Sequence, residues 1–195
     1  MKLAAPVLLL AALAAAQDIQ SRPFKLVIQS ADKSLQGQHF AACHTGAAIE
    51  SICLAGKDGA NFFLNTTEGS QSPLAGYEPS GVLIWNLPID PSPLSEPMSF
   101  YNDPSTNVAM PLFQPGYTNQ YVTFDKAGRL AILSYLDDTK NPPTGNSVRA
   151  LRNWFVCKTY YTGYQYRTLA WALGSGNVRP QNPSCVKVEV QRKYV

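Results

Sequence analysis

The stretch QHFAACHTGAAIESICLAG, residues 38–56, brings His39, Cys43, His44, Glu50 and Cys53 close together in the chain. Three chemistries use such residues: a thiol nucleophile with an imidazole base, a zinc site, or a disulfide. Neighbouring side chains on a strand point to opposite faces, so His44 is badly placed to take a proton from Cys43. His39 shares the Cys43 face but lies four residues, about 13 Å, away along an extended strand. The zinc reading lacks a CxxC or HxxxH spacing and would need the strand to break. The disulfide is therefore preferred, and no metal ligand, cofactor or catalytic residue is assigned. In this reading HTGAA is the turn that joins the two cysteine strands, Gly46 supplying a positive φ and Thr45 a local hydrogen bond.

Glycoside hydrolysis would need two carboxylates roughly 5 to 10 Å apart across a cleft. The candidates are Asp125, Asp137, Asp138, Glu50 and Glu189, and each has a plainer explanation. Asp125 falls in a hairpin turn, Glu189 on the polar face of the last strand, and Asp137 and Asp138 in a solvated loop. No GxSxG elbow is present, and only two histidines could act as base. The chain reads as a non-enzymatic protein, with a secreted glycoside hydrolase as the alternative.

Aromatic residues give a stronger signal. WFVCKTYYTGYQYRTLAW, residues 154–171, places Tyr164 and Tyr166 on one strand face and Arg167, Leu169 and Trp171 on the other. One face must be core. The other, with Tyr160, Tyr161, Tyr164 and Tyr166, is a candidate ligand-binding surface for sugar rings or another protein, set against tyrosines that merely pair across a hairpin.

These residues have to be positioned by short strands. Fifteen prolines and thirteen glycines punctuate the chain and leave no long amphipathic helix. FKLVIQ sets Phe24, Leu26 and Ile28 on one face, and VKVEVQR alternates Val186, Val188 and Val190 with polar residues. HFAACH, ESICLAG, NFFLNT, GVLIWNL, MSFYN, VAMPLF, QYVTFD, RLAILSY, WFVCKTYY and YQYRTLAWAL complete an all-β set of about twelve strands. YVTFDKAGRLAILSY reads as a hairpin around Asp125–Gly128, and TYYTGYQY as another around Thr162 and Gly163. LPIDPSPLSEP, residues 87–97, reads as a stiff surface crossover, residues 137–147 as an exposed loop, and residues 147–152 as a single helical turn.

Two architectures satisfy this count, a two-sheet β-sandwich and a β-trefoil-like barrel. FKLVIQSADKSLQGQHF and YVTFDKAGRLAILSY share a loose rhythm, but the middle third offers no matching unit, and the sandwich is preferred.

The leader MKLAAPVLLLAALAAAQ has one lysine, an apolar run and small residues at Ala14 and Ala16, the pattern of a signal peptide. Residues 1–16 are assigned to it and residues 17–195 to a single β-rich domain. The apolar run is shorter than the roughly 20 residues that span a bilayer, and the C-terminus lacks a hydrophobic tail, so no membrane anchor is expected. Four cysteines in an exported chain imply two disulfides. Of the three possible pairings, Cys43–Cys53 and Cys157–Cys185 each flank a turn or hairpin and are preferred. The chain-entropy model gives these loops about 2.8 and 3.6 kcal/mol. Asn65, in NTT, is a possible glycosylation site, because proline blocks the triplet at Asn182. The formal net charge of +3 is scattered, with Arg192 and Lys193 its nearest cluster, which argues against nucleic-acid binding.

The combination of FKLVIQS, HFAACHTGAA, FFLN, YVTFDKAGRL, WFVCKTYYTGYQYRTLAW and PQNPSCVKVEVQR resembles an uncharacterised family of small secreted proteins of filamentous ascomycete fungi. The resemblance spans almost the whole mature chain. It implies extracellular export and a β-rich domain, and it carries no catalytic residues. The expectation is a secreted, extracellular monomer that binds a cell-wall or host glycan, as a carbohydrate-binding module would, or another extracellular protein.

Overall fold

The computed structural model describes residues 17–116 and 118–195. The leader, residues 1–16, lies outside the described residues. Strands follow one another in three successive units, all paired antiparallel. The first contains β2 (Phe24–Gln29), β3 (Phe40–Gly46), β4 (Ile49–Leu54) and β5 (Phe63–Thr67), preceded by the short β1 (Asp18–Gln20). The second contains β6 (Gly81–Leu87), β7 (Leu94–Tyr101), β8 (Val108–Phe113) and β9 (Tyr121–Phe124). The third contains β10 (Leu130–Asp137), β11 (Thr144–Leu151), β12 (Trp154–Tyr161), β13 (Tyr164–Ala172), β14 (Val186–Lys187) and β15 (Glu189–Tyr194). Among the described residues there is no helix.

The first and last strands of each unit close a ring. β5 pairs with β6, β6 with β9, β9 with β10, and β15 with β2. Reciprocal hydrogen bonds between Phe24 and Phe62 join β2 to the start of β5, and the Arg192 amide donates to the Gly128 carbonyl where β15 meets β10. The middle strands form three hairpins, β3–β4, β7–β8 and β12–β13. Their second or return strands meet one another: Glu50 opposite Phe113, Thr168 opposite Cys53, and Trp171 opposite Ala109.

A six-stranded ring capped by three hairpins is the trefoil-like barrel, not the two-sheet sandwich. Closure removes the free edges that a sandwich would leave. It also lets every ring strand contribute to one core, through Leu26, Leu64, Leu83, Phe124, Leu130 and Val190. Ile52, Met98, Phe113, Trp154, Leu169 and Trp171 extend that core into the cap. The buried Trp154 indole donates to the Leu130 carbonyl at 3.0 Å, tying cap to ring.

The twelve strands read from the sequence are those of the ring and hairpins, and β1, β11 and β14 are additions at their margins. Five local expectations need correction. Residues 94–97 lie in β7 rather than in a crossover, because Pro97 is missing only a donor while its carbonyl still accepts from Gln114. Residues 144–151 form β11, so neither the helical turn nor the full loop exists there. VKVEVQR is two strands, β14 on β12 and β15 on β2, with Val188 between them. In the β3–β4 turn Ala48, not Gly46, has the positive φ, at 52°, while the Thr45 hydroxyl does donate to the Ile49 carbonyl.

Candidate functional site

Cysteines and histidines come first, because their chemistry is settled locally. Disulfides join Cys43 to Cys53 and Cys157 to Cys185, with Cα separations of 5.9 and 4.1 Å. Both pairings agree with the sequence reading, and such bonds are typical of extracellular proteins. His44 is exposed, its ring edge-on to Tyr164 at 5.5 Å. His39 stands just before β3, bridged to Val27 of β2, and its amide donates to the Gly56 carbonyl. Burial and the charges of Lys25 and Lys193 hold its imidazole below the usual histidine range. Among the described residues no group of three or more histidine, cysteine or acidic side chains is placed to hold a metal.

The carboxylates separate. Asp125 accepts from the Ala127 and Arg129 amides, from Arg129 Nε at 2.7 Å and from Arg152 Nη2 at 2.7 Å. Burial works against ionisation there, but hydrogen bonds from Arg129 and the charges of Arg129 and Arg152 outweigh it and hold Asp125 below the usual carboxylate range. Asp137 is capped by the Thr139 hydroxyl at 2.6 Å at the solvated end of β10, beside Asp138. Glu189 lies 3.7 Å from Arg129. Glu50 is buried, and it meets an acid that sequence reasoning passed over, the fully buried Glu96. Burial, reinforced by the neighbouring Glu50 carboxyl, pushes Glu96 up to about 8. Among the described residues no amide or hydroxyl donor reaches either oxygen of Glu96. Neither acid lines the grooves described below.

The tyrosine hairpin divides by register. Tyr161 pairs with Tyr164 and Thr159 with Tyr166, so these four share one face, whereas Tyr160 and Gln165 occupy the other. Tyr164 and Tyr166 stack at 6.2 Å, and the Tyr166 hydroxyl donates to the His44 carbonyl at 3.2 Å. Thr162 in the turn donates to the Thr45 carbonyl. These bonds lean the third hairpin on the first.

The end of β12 also faces the second unit across a groove of about 490 Å³. Tyr160, Tyr161 and Lys158 form one wall, Tyr101, Asp103 and Met110 the other. The Tyr101 and Tyr161 rings meet edge to face at 4.9 Å. Asp103 is oriented by the Ser105 amide at 2.8 Å and hydroxyl at 2.6 Å, and those hydrogen bonds hold it below the usual carboxylate range. Its charge in turn pushes the Tyr101 hydroxyl up. Such a wall offers ring faces for stacking, hydroxyls and an amide for hydrogen bonding, and a single fixed carboxylate.

Tyr160 and Tyr161 were identifiable from the sequence, whereas Tyr101, Asp103 and Asn182, which also lines the groove, were not. YNDPST signals a turn after a strand. Nothing in it says that the turn faces residue 161, which follows from the Trp171–Ala109 and Ala172–Val108 pairing of β13 with β8. The acceptor triplet at Asn65 lies within β5, half-buried, with the Gln20 amide donating to its side-chain oxygen.

A family model described as a domain of unknown function, DUF7907, matches residues 21–194. No curated protein and no solved structure matches the chain.

Proposed function

We propose that this chain, which belongs to the DUF7907 family, acts outside the cell by binding carbohydrate and performs no catalysis of its own. The fold by itself carries no function. The observation that carries this reading is the groove between Tyr101 and the Tyr160–Tyr161 strand, with one oriented carboxylate, Asp103, on its wall. Tyrosine rings stack on the apolar faces of sugars while polar groups fix their hydroxyls. A hydrolase of the usual kind would need a second acid across the cleft. The acid pair that does exist, Glu50 and Glu96, is buried away from this groove.

Export is part of the proposal. The leader pattern of residues 1–16 and the two disulfides support a secreted protein, and the resemblance to small secreted proteins of filamentous ascomycetes supports its source; it would work as a monomer at a wall or host surface. An N-linked glycan on that route would sit at Asn65, and a mass difference between secreted wild type and Asn65→Gln tests it.

A glycan panel tests the function. Wild-type protein should give discrete hits that Tyr161→Ala and Tyr160→Ala weaken, with Tyr164→Ala and Tyr166→Ala reporting on the adjoining platform. No hit, or hits unchanged in all four variants, would exclude the reading and favour a protein partner.

A further inference from the structure

A second groove, about 780 Å³, opens on the same side of β12. Phe155 lies on its lining, and Arg152, Arg179 and Lys187 contribute its cations. Lys187 Nζ sits 4.8 Å from the centre of the Phe155 ring and donates to the Arg152 carbonyl. Among the described residues neither Lys187 nor Arg179 has an ion-pair partner. Among the described residues the buried Nε of Arg152 has no hydrogen-bond acceptor, while its Nη2 serves Tyr77 and Asp125. The lining's one acid, Glu189, lies 3.7 Å from Arg129. In a chain of net charge +3, two cations without an ion-pair partner among the described residues, Arg179 and Lys187, therefore line one cavity, beside an Arg152 that is already paired with Asp125.

The opposite wall is held in place. The Asn107 side chain donates to the Arg179 carbonyl at 3.0 Å and accepts from the Gln181 amide at 2.8 Å. Asn182 donates to the Lys158 carbonyl at 2.9 Å, and the Cys157–Cys185 disulfide closes the end. A wall fixed before binding lowers the entropic cost of taking up a ligand.

The two grooves share Asn182. Phe155 in one and Thr159 and Tyr161 in the other alternate along one face of β12, with Cys157 between them. Phe155 and Thr159 are four residues, about 13 Å, apart on the strand. An occupant of both grooves has to be an extended chain rather than one sugar ring.

We propose that the ligand is an acidic polysaccharide, its carboxylate seated among Arg152, Arg179 and Lys187 while a neighbouring ring lies against Tyr161. This rests on the carbohydrate reading and narrows it to one class.

The test compares polygalacturonate with its methyl ester, which keeps the backbone and removes the charge, by titration calorimetry at fixed pH and moderate salt. Polyglutamate serves as a charged polymer without rings. Polygalacturonate should bind about tenfold tighter than the ester, and Arg179→Gln and Lys187→Gln should each remove about threefold or more of that preference. Tyr161→Ala should weaken both polymers, and Lys33→Gln, the same loss of charge at an exposed site elsewhere, should change neither. Equal binding of acid and ester, each dependent on Tyr161, overturns the acidic ligand and leaves the carbohydrate reading standing. Polyglutamate binding as tightly, or Lys33→Gln acting as strongly as Lys187→Gln, overturns it as charge attraction alone. Binding of neither polymer also overturns it, and the glycan panel then decides the wider reading.

Discussion

Tyr101 and Tyr161 meet edge to face at 4.9 Å, although they belong to different units of the barrel. One ring ends β7 and the other ends β12, and the contact exists because β13 pairs with β8 below them. Each ring shapes the groove for the other. Tyr101→Ala and Tyr161→Ala should therefore each lower affinity for a bound glycan by about tenfold. The double variant should lose little more than either single one, since residues in contact do not act additively. Circular dichroism should be unchanged in all three, and a strictly additive double variant would show that the rings act separately.

The buried pair of Glu50 and Glu96 predicts a dependence on pH of a definite sign. Glu96 has its folded pKa raised from the usual carboxylate value to about 8. Its contribution to stability is thus fully present below about pH 4.5 and is lost as pH rises towards 8. Within that window the slope is at most about 1.4 kcal/mol per pH unit. Denaturation midpoints should fall from pH 5 to pH 8, and Glu96→Gln should flatten the profile. A wild-type profile rising over this range would contradict the burial of Glu96.

Asp125 behaves in the opposite sense. Its folded pKa is depressed, so its contribution is present above the ordinary carboxylate pKa and is lost as pH falls through the depressed value. Asp125→Asn strips Arg152 and Arg129 of their shared partner at the β9–β10 turn. With Asp125 largely buried and Arg152 partly so, the expected loss is about 2 to 3 kcal/mol at pH 7, measured by urea denaturation. A loss under about half a kcal/mol would mean that the turn is held by its backbone bonds alone.

Among the described residues two other than glycine have positive φ, Ala48 at 52° and Thr162 at 47°. Left-handed backbone costs an L-residue about 1 kcal/mol. Ala48→Gly should recover part of that, raising stability by up to about 1 kcal/mol in thermal melts. Thr162→Gly should show no such gain, because Thr162 also donates to the Thr45 carbonyl and links two hairpins. An equal gain at both sites would show that this hydrogen bond contributes nothing.

Intact mass should give no alkylation without reduction, and four alkylated cysteines after it. Replacing Cys43 or Cys157 by serine should cost about 3 kcal/mol in each case, the longer Cys157–Cys185 loop costing more. Alkylation before reduction would reopen the thiol and metal readings of residues 38–56.

The sequence determined those features that depend on near neighbours. Alternation put Phe24, Leu26 and Ile28 on a buried face, turn residues located the hairpins at Asp125–Gly128 and Thr162–Gly163, and spacing paired the cysteines. Proline density misled at residues 94–97, since a missing donor still leaves a carbonyl to pair. The threefold order was hidden because the two compared segments differ in phase: one opens a unit, the other crosses the junction between β9 and β10. Tertiary structure alone decided that the strands close into a ring, that Arg192 leaves the basic C-terminus to lie against Phe124 and Tyr194, that Glu96 meets Glu50, and that Tyr101 and Asn182 complete the groove begun by Tyr161. The reason is physical. A period of two states which side of a strand is buried, but strand partners are chosen by contacts across the whole chain, and every one of those features lies between partners.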